Sequence, residues 1–468
     1  MPSPHPQSRT LPYKKDAPPV DTWLWFEPGV LGEARDVEGK PAWFPTARSL
    51  HAGAAMIACF LAVGPMAGLE LGCLPLAVMA TVLLPWQWRT HLAMFRSQPL
   101  VWFLLAWAVW LAISLSWSPD VRKGAVQEFG TMRFGWFMIA MWPALRYRRY
   151  LIAALALGFL ATNASQVVLA IVRAGGWEHL DFGHGGRDRN AGWWLHPAVC
   201  GYMFVGALGL HLPAAMLFRG RAAWLARAGI LATWLGIFAT GTRGAMLSGA
   251  ALCALALGHA FLVHRRSADA RARRRLLRWS AATVTLGAAL IIAVSFTDMP
   301  PGPRIREGVR EVQRVFTQRD VSTFTGARFP FAIWAWELYT SHPIRGVGAG
   351  GYEESVRRML AERGETPRTP HIPPQAHNLY LHAAATLGSV GLLLALGITV
   401  VALRGGFKRP VGPDAFQAPG PWDLGPGWAL IGMLLTTAFD VTYVNSQPSA
   451  LLAILFTMCL SPRPREAV

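Results

Sequence analysis

The sequence predicts an all-α polytopic integral membrane protein with about twelve transmembrane helices and a mostly helical segment outside the bilayer between the ninth and tenth. Three observations predict it. Of 468 residues, 53% are hydrophobic and 15% charged, where soluble globular domains carry roughly 25% charged residues. The apolar residues form long runs, such as 276–296 and 379–403, that suit the ~20 residues needed to cross a bilayer. The cations, 44 Lys and Arg against 26 Asp and Glu, cluster in short loops between those runs. That distribution sets membrane orientation, so the basic balance does not call for nucleic acid.

Residues 1–48 are polar and punctuated by prolines from Pro2 to Pro45. They read as a disordered cytoplasmic tail, with the first span acting as the insertion signal. Spans one to nine occupy 49–297: 49–67, 70–87, 99–117, 126–145, 150–173, 196–218, 223–241, 244–264 and 278–297. A helical domain of 298–376 follows, then spans ten to twelve within 377–461, at 377–403, 427–443 and 448–461, and a cytoplasmic tail of 462–468. Arg265, Arg266, Arg271 and Arg273 to Arg275 mark the loop after the eighth span as cytoplasmic. Alternation then places Arg146, Arg148, Arg149, Arg219, Arg221, Arg404, Lys408 and Arg409 on the same side, with both termini. Those basic loops are suited to contact anionic membrane lipids. Cys59, Cys73, Cys200, Cys253 and Cys459 all lie in apolar runs without a Cys-x-x-Cys pair, which gives neither a disulfide framework nor a metal set. The halves share no repeat, which disfavours transporters built from internal repeats.

The 298–376 segment is far longer than the typical ~4–6-residue loop. Ile305, Val309, Val312 and Phe316 recur at helical spacing among Arg304, Arg306, Arg310 and Arg314, as on a membrane-surface helix. Further helices are expected over 331–341 and 352–363. The turn Gly346-Val347-Gly348-Ala349-Gly350-Gly351 could cradle phosphate, although a tight turn needing small residues explains it more simply. Pro370, Pro373 and Pro374 end the segment, and the tenth span begins at once with Ala376-His377-Asn378-Leu379-Tyr380.

His377 is therefore expected in the first turn of a spanning helix, where the positive helix terminus favours a neutral ring able to accept a proton. The alternative is an interfacial polar anchor. Arg243 interrupts apolar sequence in Thr240-Gly241-Thr242-Arg243-Gly244; it either snorkels at the boundary or meets a phosphate oxyanion at a helix N-terminus. Arg328 lies beside aromatic residues in the long segment, and Arg187 and Arg189 lie in the Gly-rich loop 174–195. Singly each reads as a solvated loop arginine; with Arg243 and His377 on one side of the membrane they suggest an anion site. No Asp-x-Asp, phosphate-binding loop, His-Glu-x-x-His or Gly-x-Ser-x-Gly motif is present.

The order of Gly241-Thr242-Arg243-Gly244, Gly326-Ala327-Arg328, His342-Pro343-Ile344-Arg345-Gly346-Val347-Gly348 and Ala376-His377-Asn378-Leu379-Tyr380-Leu381 resembles the bacterial O-antigen ligase and O-antigen polymerase superfamily over about Gly183 to Gly391. The resemblance implies a GT-C-type glycosyltransferase of the bacterial inner membrane, with its active site facing the periplasm. It implies an undecaprenyl-diphosphate-linked O-antigen donor, a lipid A-core acceptor, and neither metal nor cofactor. Carried over by motif, the essential arginines fall at Arg243 and Arg328 and the essential histidine at His377. Asn378 and Tyr380 support the histidine, and either Arg187 or Arg189 completes the diphosphate site. Polymerase, protein O-oligosaccharyltransferase and, from another class, lipid-linked oligosaccharide transporter remain the alternatives. Most charges lie at the ends of the spans, which favours the enzyme over a transporter.

Overall fold

In hydrocarbon, backbone N–H and C=O groups must be satisfied within the chain, so apolar runs of this length become helices. The computed structural model describes residues 44–186, 189–194, 196–217, 220–265, 296, 302–367, 369, 371–407 and 421–460. Its helices are α1 Phe44–Leu61, α2 Met66–Ser97, α3 Pro99–Ser114, α4 Trp136–Met141, α5 Arg148–Ala174, α6 Pro197–Leu217, α7 Gly220–Ala239 and α8 Arg243–Arg265. They continue with α9 Gly302–Gln318, α10 Arg328–Ser341, α11 Tyr352–Glu362, α12 Leu379–Gly406, α13 Pro421–Thr436 and α14 Ser446–Cys459. Among the described residues, six helices are long and apolar enough to cross a membrane: α2, α3, α5, α6, α8 and α12. Shorter apolar helices lie in α7, α13 and α14. The protein is thus a mainly helical, multi-pass membrane protein.

The bundle is built around α6, of whose apolar window 83% is buried; α13, α7 and α8 pack on it. Where the expectations and the structure differ, local chemistry explains it. The helix α1 starts at Phe44, inside the stretch read as a tail, because Pro45 suits a first turn whose N–H groups lack partners anyway. The helix α2 runs on to Ser97 although Pro75 and Pro85 lie inside it. The expected span 126–145 is no regular helix: a π-turn over Gly124–Phe129, 3-10 turns over Gly130–Gly135 and Trp142–Tyr147, and the short α4 between them. Gly130, Gly135 and Pro143 weaken the α-ladder there. The expected span 278–297 and the basic loop before it lie outside the described residues, apart from Arg265 and Phe296. A short antiparallel hairpin, β1 His184–Gly186 with β2 Arg189–Gly192, departs from the all-α expectation.

The long segment folds onto the bundle rather than away from it. Phe331, Trp334, Leu338, Tyr352, Val356 and Leu360 form a second core between α10 and α11, closed by Ala376 and Ala385 at the start of α12. The helix α12 is kinked at Gly388, where φ is 67° and ψ −163°, a backbone conformation that costs little only for glycine. The kink frees three carbonyls, and the fold returns donors to them: Val347 N–H to Ala385 O at 2.9 Å, Gly348 N–H to Thr386 O at 2.8 Å, and Trp110 Nε1–H to Leu387 O at 2.9 Å. The glycine turn 346–351 therefore fits against the kink, which favours the tight-turn reading over a phosphate cradle.

Candidate functional site

Several helix ends meet at one end of the bundle. Thr242 Oγ1 donates to Pro197 O at 3.2 Å and pins the start of α8 to the start of α6, while Leu379 N–H donates to Thr437 O at 2.9 Å and joins α12 to the end of α13. At the end of α5, Arg173 donates to Asp181 at 2.8 Å and to Gly183 O at 2.9 Å, which holds the loop that leads into the hairpin.

Arg243 is the first residue of α8. Its guanidinium meets Glu307 Oε2 at 2.6 Å and Glu311 Oε2 at 2.7 Å, and donates to Thr325 Oγ1 and Arg304 O, both at 3.0 Å. The two carboxylates stand four residues apart on one face of α9, so a single helix face grips the arginine. Arg328 is the first residue of α10, and Arg189 lies on β2 opposite Gly186. The Nε atoms of both are buried without an acceptor. Burial first, then Arg304, Arg243 and Arg328 lower the basicity of Arg189. Those four guanidiniums thus share one electrostatic site. Set against the carboxylates of Glu307, Glu311 and Asp440, the four guanidiniums keep the site net positive, the condition for capturing an anion. Buried donors without acceptors supply the directional part of such a site.

His377 faces the same site. The structure corrects its placement: α12 starts at Leu379, and His377 stands one residue before the cap Asn378. Asn378 takes the cap because its side chain accepts from the N–H groups of Tyr380 at 3.1 Å and Leu381 at 3.0 Å. His377 precedes it with a left-handed φ of 50°, unusual for a residue other than glycine and a mark of functional sites. Its ring stacks on Phe331 with centroids 5.7 Å apart, and Nδ1 lies 3.4 Å from Asp440 Oδ1. Asp440 is itself held by Gln375 Nε2 at 3.0 Å and Val441 N–H at 2.8 Å. His196 feels charges from both halves: partial desolvation first, then Arg189 and His377, push its pKa down, while Asp440 pulls it up.

Of the residues singled out in the sequence, Arg189, Arg243, Arg328 and His377 come together; Arg187 lies outside the described residues. Asn378 caps α12, and Tyr380 instead shares a hydrogen bond with Thr399 at 3.1 Å, away from the site. Sequence reasoning passed over Asp440, Glu311 and Glu307. For Asp440 a signal existed, because it is a carboxylate inside an expected span, 427–443, and such residues default to function. Glu307 and Glu311 gave no signal beyond their spacing. Among the described residues no three His, Cys, Asp or Glu side chains group as a metal set. Beside the site, an apolar cavity of about 450 Å³ runs between α2, α3, α4, α12 and α14, and Leu379 and Thr437 line it.

A mainly helical, multi-pass membrane protein that gathers arginines and a His–Asp pair at one end of its bundle is suited to act on an anionic substrate within reach of the bilayer. Residues 228–396 match the family model described as O-antigen ligase. That match supports the resemblance of this stretch to the O-antigen ligase and polymerase superfamily of glycosyltransferase-like membrane proteins. The matched stretch contains Arg243, Arg328 and His377, whereas Arg189 and Asp440 lie outside it. No curated protein matches the chain.

Proposed function

We propose that the protein is an O-antigen ligase of GT-C type, transferring glycan from undecaprenyl diphosphate to lipid A-core at the periplasmic face of the inner membrane, with both termini cytoplasmic. The observation that carries this reading is the meeting of unpaired arginine donors and a His–Asp pair at one end of the helices. Arg189 and Arg328 bind the donor diphosphate through donors that have no protein acceptor. Arg243, held in place by Glu307 and Glu311, adds a third positive charge. Together they stabilise the negative charge that grows on the diphosphate as the glycosidic bond breaks. The guanidinium charges do this without a metal. His377, oriented by Asp440, accepts the proton of the acceptor hydroxyl, whose oxygen attacks the anomeric carbon from the face opposite the leaving diphosphate. The anomeric configuration inverts and no covalent intermediate forms. The apolar cavity beside Leu379 offers room for part of a lipid chain.

The test is a reconstitution of purified protein with undecaprenyl-diphosphate-linked O-antigen, lipid A-core and a chelator. His377→Ala is expected to lower transfer by about 10²–10⁴-fold, the range of general acid–base catalysis, and to keep donor binding. An equal loss of donor binding overturns the role given to His377. A lengthened donor glycan with unmodified lipid A-core replaces the ligase by a polymerase.

A further inference from the structure

Glu128 lies in the π-turn that replaces a regular fourth span, 3% exposed. A carboxylate buried in an apolar bundle is costly unless its oxygens find donors. Both oxygens do. Oε1 accepts from Gly350 N–H at 2.6 Å and lies 3.3 Å from His382 Nε2, and Oε2 accepts from the Tyr443 hydroxyl at 3.0 Å. One N–H of the glycine turn, that of Gly350, thus serves the protein's own carboxylate. These three partners belong to the glycine turn, to α12 and to the turn between α13 and α14.

Two of these partners stand close in sequence to the pair at the site. His382 follows His377 by five residues, and its N–H donates to Asn378 O at 2.9 Å, the carbonyl of the cap next to His377. Tyr443 follows Asp440 by three residues in the 3-10 turn Thr442–Val444. His377 and Asp440 come from separate elements, yet must keep the 3.4 Å spacing of Nδ1 and Oδ1. We propose that Glu128 is a positioning residue that sets this spacing: one oxygen holds the start of α12 through His382, and the other holds the Asp440 turn through Tyr443. The inference rests on the reading of His377 and Asp440 as the proton-accepting pair. Rates depend steeply on such geometry, since a misplacement of about 1 Å costs on the order of 10²-fold.

The experiment uses the purified full chain with undecaprenyl-diphosphate-linked glycan and lipid A-core, and follows release of undecaprenyl diphosphate, which counts donor turnover whichever acceptor takes the glycan. Tyr443→Phe removes one hydroxyl and keeps the volume, so it avoids the folding risk of a Glu128 deletion. It is expected to lower kcat about tenfold, the rate equivalent of one hydrogen bond to a charged group, with KM for the donor unchanged. Asp440→Asn is expected to lower kcat on the order of 10²-fold, and the double variant to match Asp440→Asn alone, because the hydroxyl acts through Asp440. Glu128→Gln, which keeps an acceptor for Gly350, is expected to show the same loss confined to kcat. Additive losses, a KM change equal to that in kcat, or a wild-type kcat for Tyr443→Phe overturn the positioning role while leaving the pair intact. Wild-type turnover in both His377→Ala and Asp440→Asn overturns the reading of the pair itself, and the positioning role with it.

Discussion

Glu311 keeps its charge where burial alone would favour the neutral acid. Hydrogen bonds from Thr325 and Arg243 outweigh that burial and hold its pKa below the usual 4.5. Its link to Arg243 is therefore fully present above pH 4.5 and is lost as pH falls through the depressed folded value. Acidification across that window is expected to loosen α9. The check is hydrogen exchange over residues 302–318, corrected for its intrinsic pH dependence; Glu311→Gln should abolish the step. A step that persists unchanged in the variant assigns the opening to other groups. At this scale the sequence announced the arginines, because a cation inside apolar sequence is conspicuous. It did not announce their partners: Glu311 lies 68 residues from Arg243 and looks like any acidic residue on an amphipathic helix.

Elements show the same division. The helices of the long segment were legible from periodicity, since Ile305, Val309, Val312 and Phe316 repeat along one face of α9. The kink of α12 was not. Gly388 sits in an apolar run that reads as uninterrupted helix, and its need for glycine arises from chain 44 residues earlier: a Cβ there would strike Ile344 O. Gly364, at the end of α11, has a φ of 65° but no atom within 4 Å of an added Cβ. Gly364→Ala is expected to cost about 1 kcal/mol, the left-handed backbone penalty alone. Gly388→Ala adds overpacking to the backbone penalty of its own φ/ψ, a region open essentially only to glycine, and is expected to cost about 2–4 kcal/mol in all. Thermal unfolding in detergent checks the order, and equal shifts for the two variants would remove the close packing of the glycine turn on the kink as its cause.

At the scale of the whole molecule, the cavity beside Leu379 tests whether the site and the bilayer act together. Trp107, Trp136, Ile398 and Phe456 line it with Ala108 and Ala453. Ala453→Trp should fill part of that space. It is expected to lower kcat/KM for a full-length polyprenyl donor about tenfold, the equivalent of two buried methylenes, and to spare a short-chain analogue. Steady-state kinetics with the two donors decides it; equal losses would separate the cavity from lipid binding.

The sequence by itself determined that this chain enters a membrane, because the length and apolarity of its runs are local properties that hydrocarbon reads residue by residue. It also determined which cations stand out, and the motifs around Arg243, Arg328 and His377 pointed to the superfamily that the family comparison bears out. The tertiary structure alone decided what those residues face. Asp440 beside His377, the carboxylates that grip Arg243, and the tie from Glu128 to Gly350, His382 and Tyr443 all join positions tens to hundreds of residues apart. A buried charge or an unpaired donor has its energy set by neighbours in space, and neighbours in space are what a linear pattern does not carry.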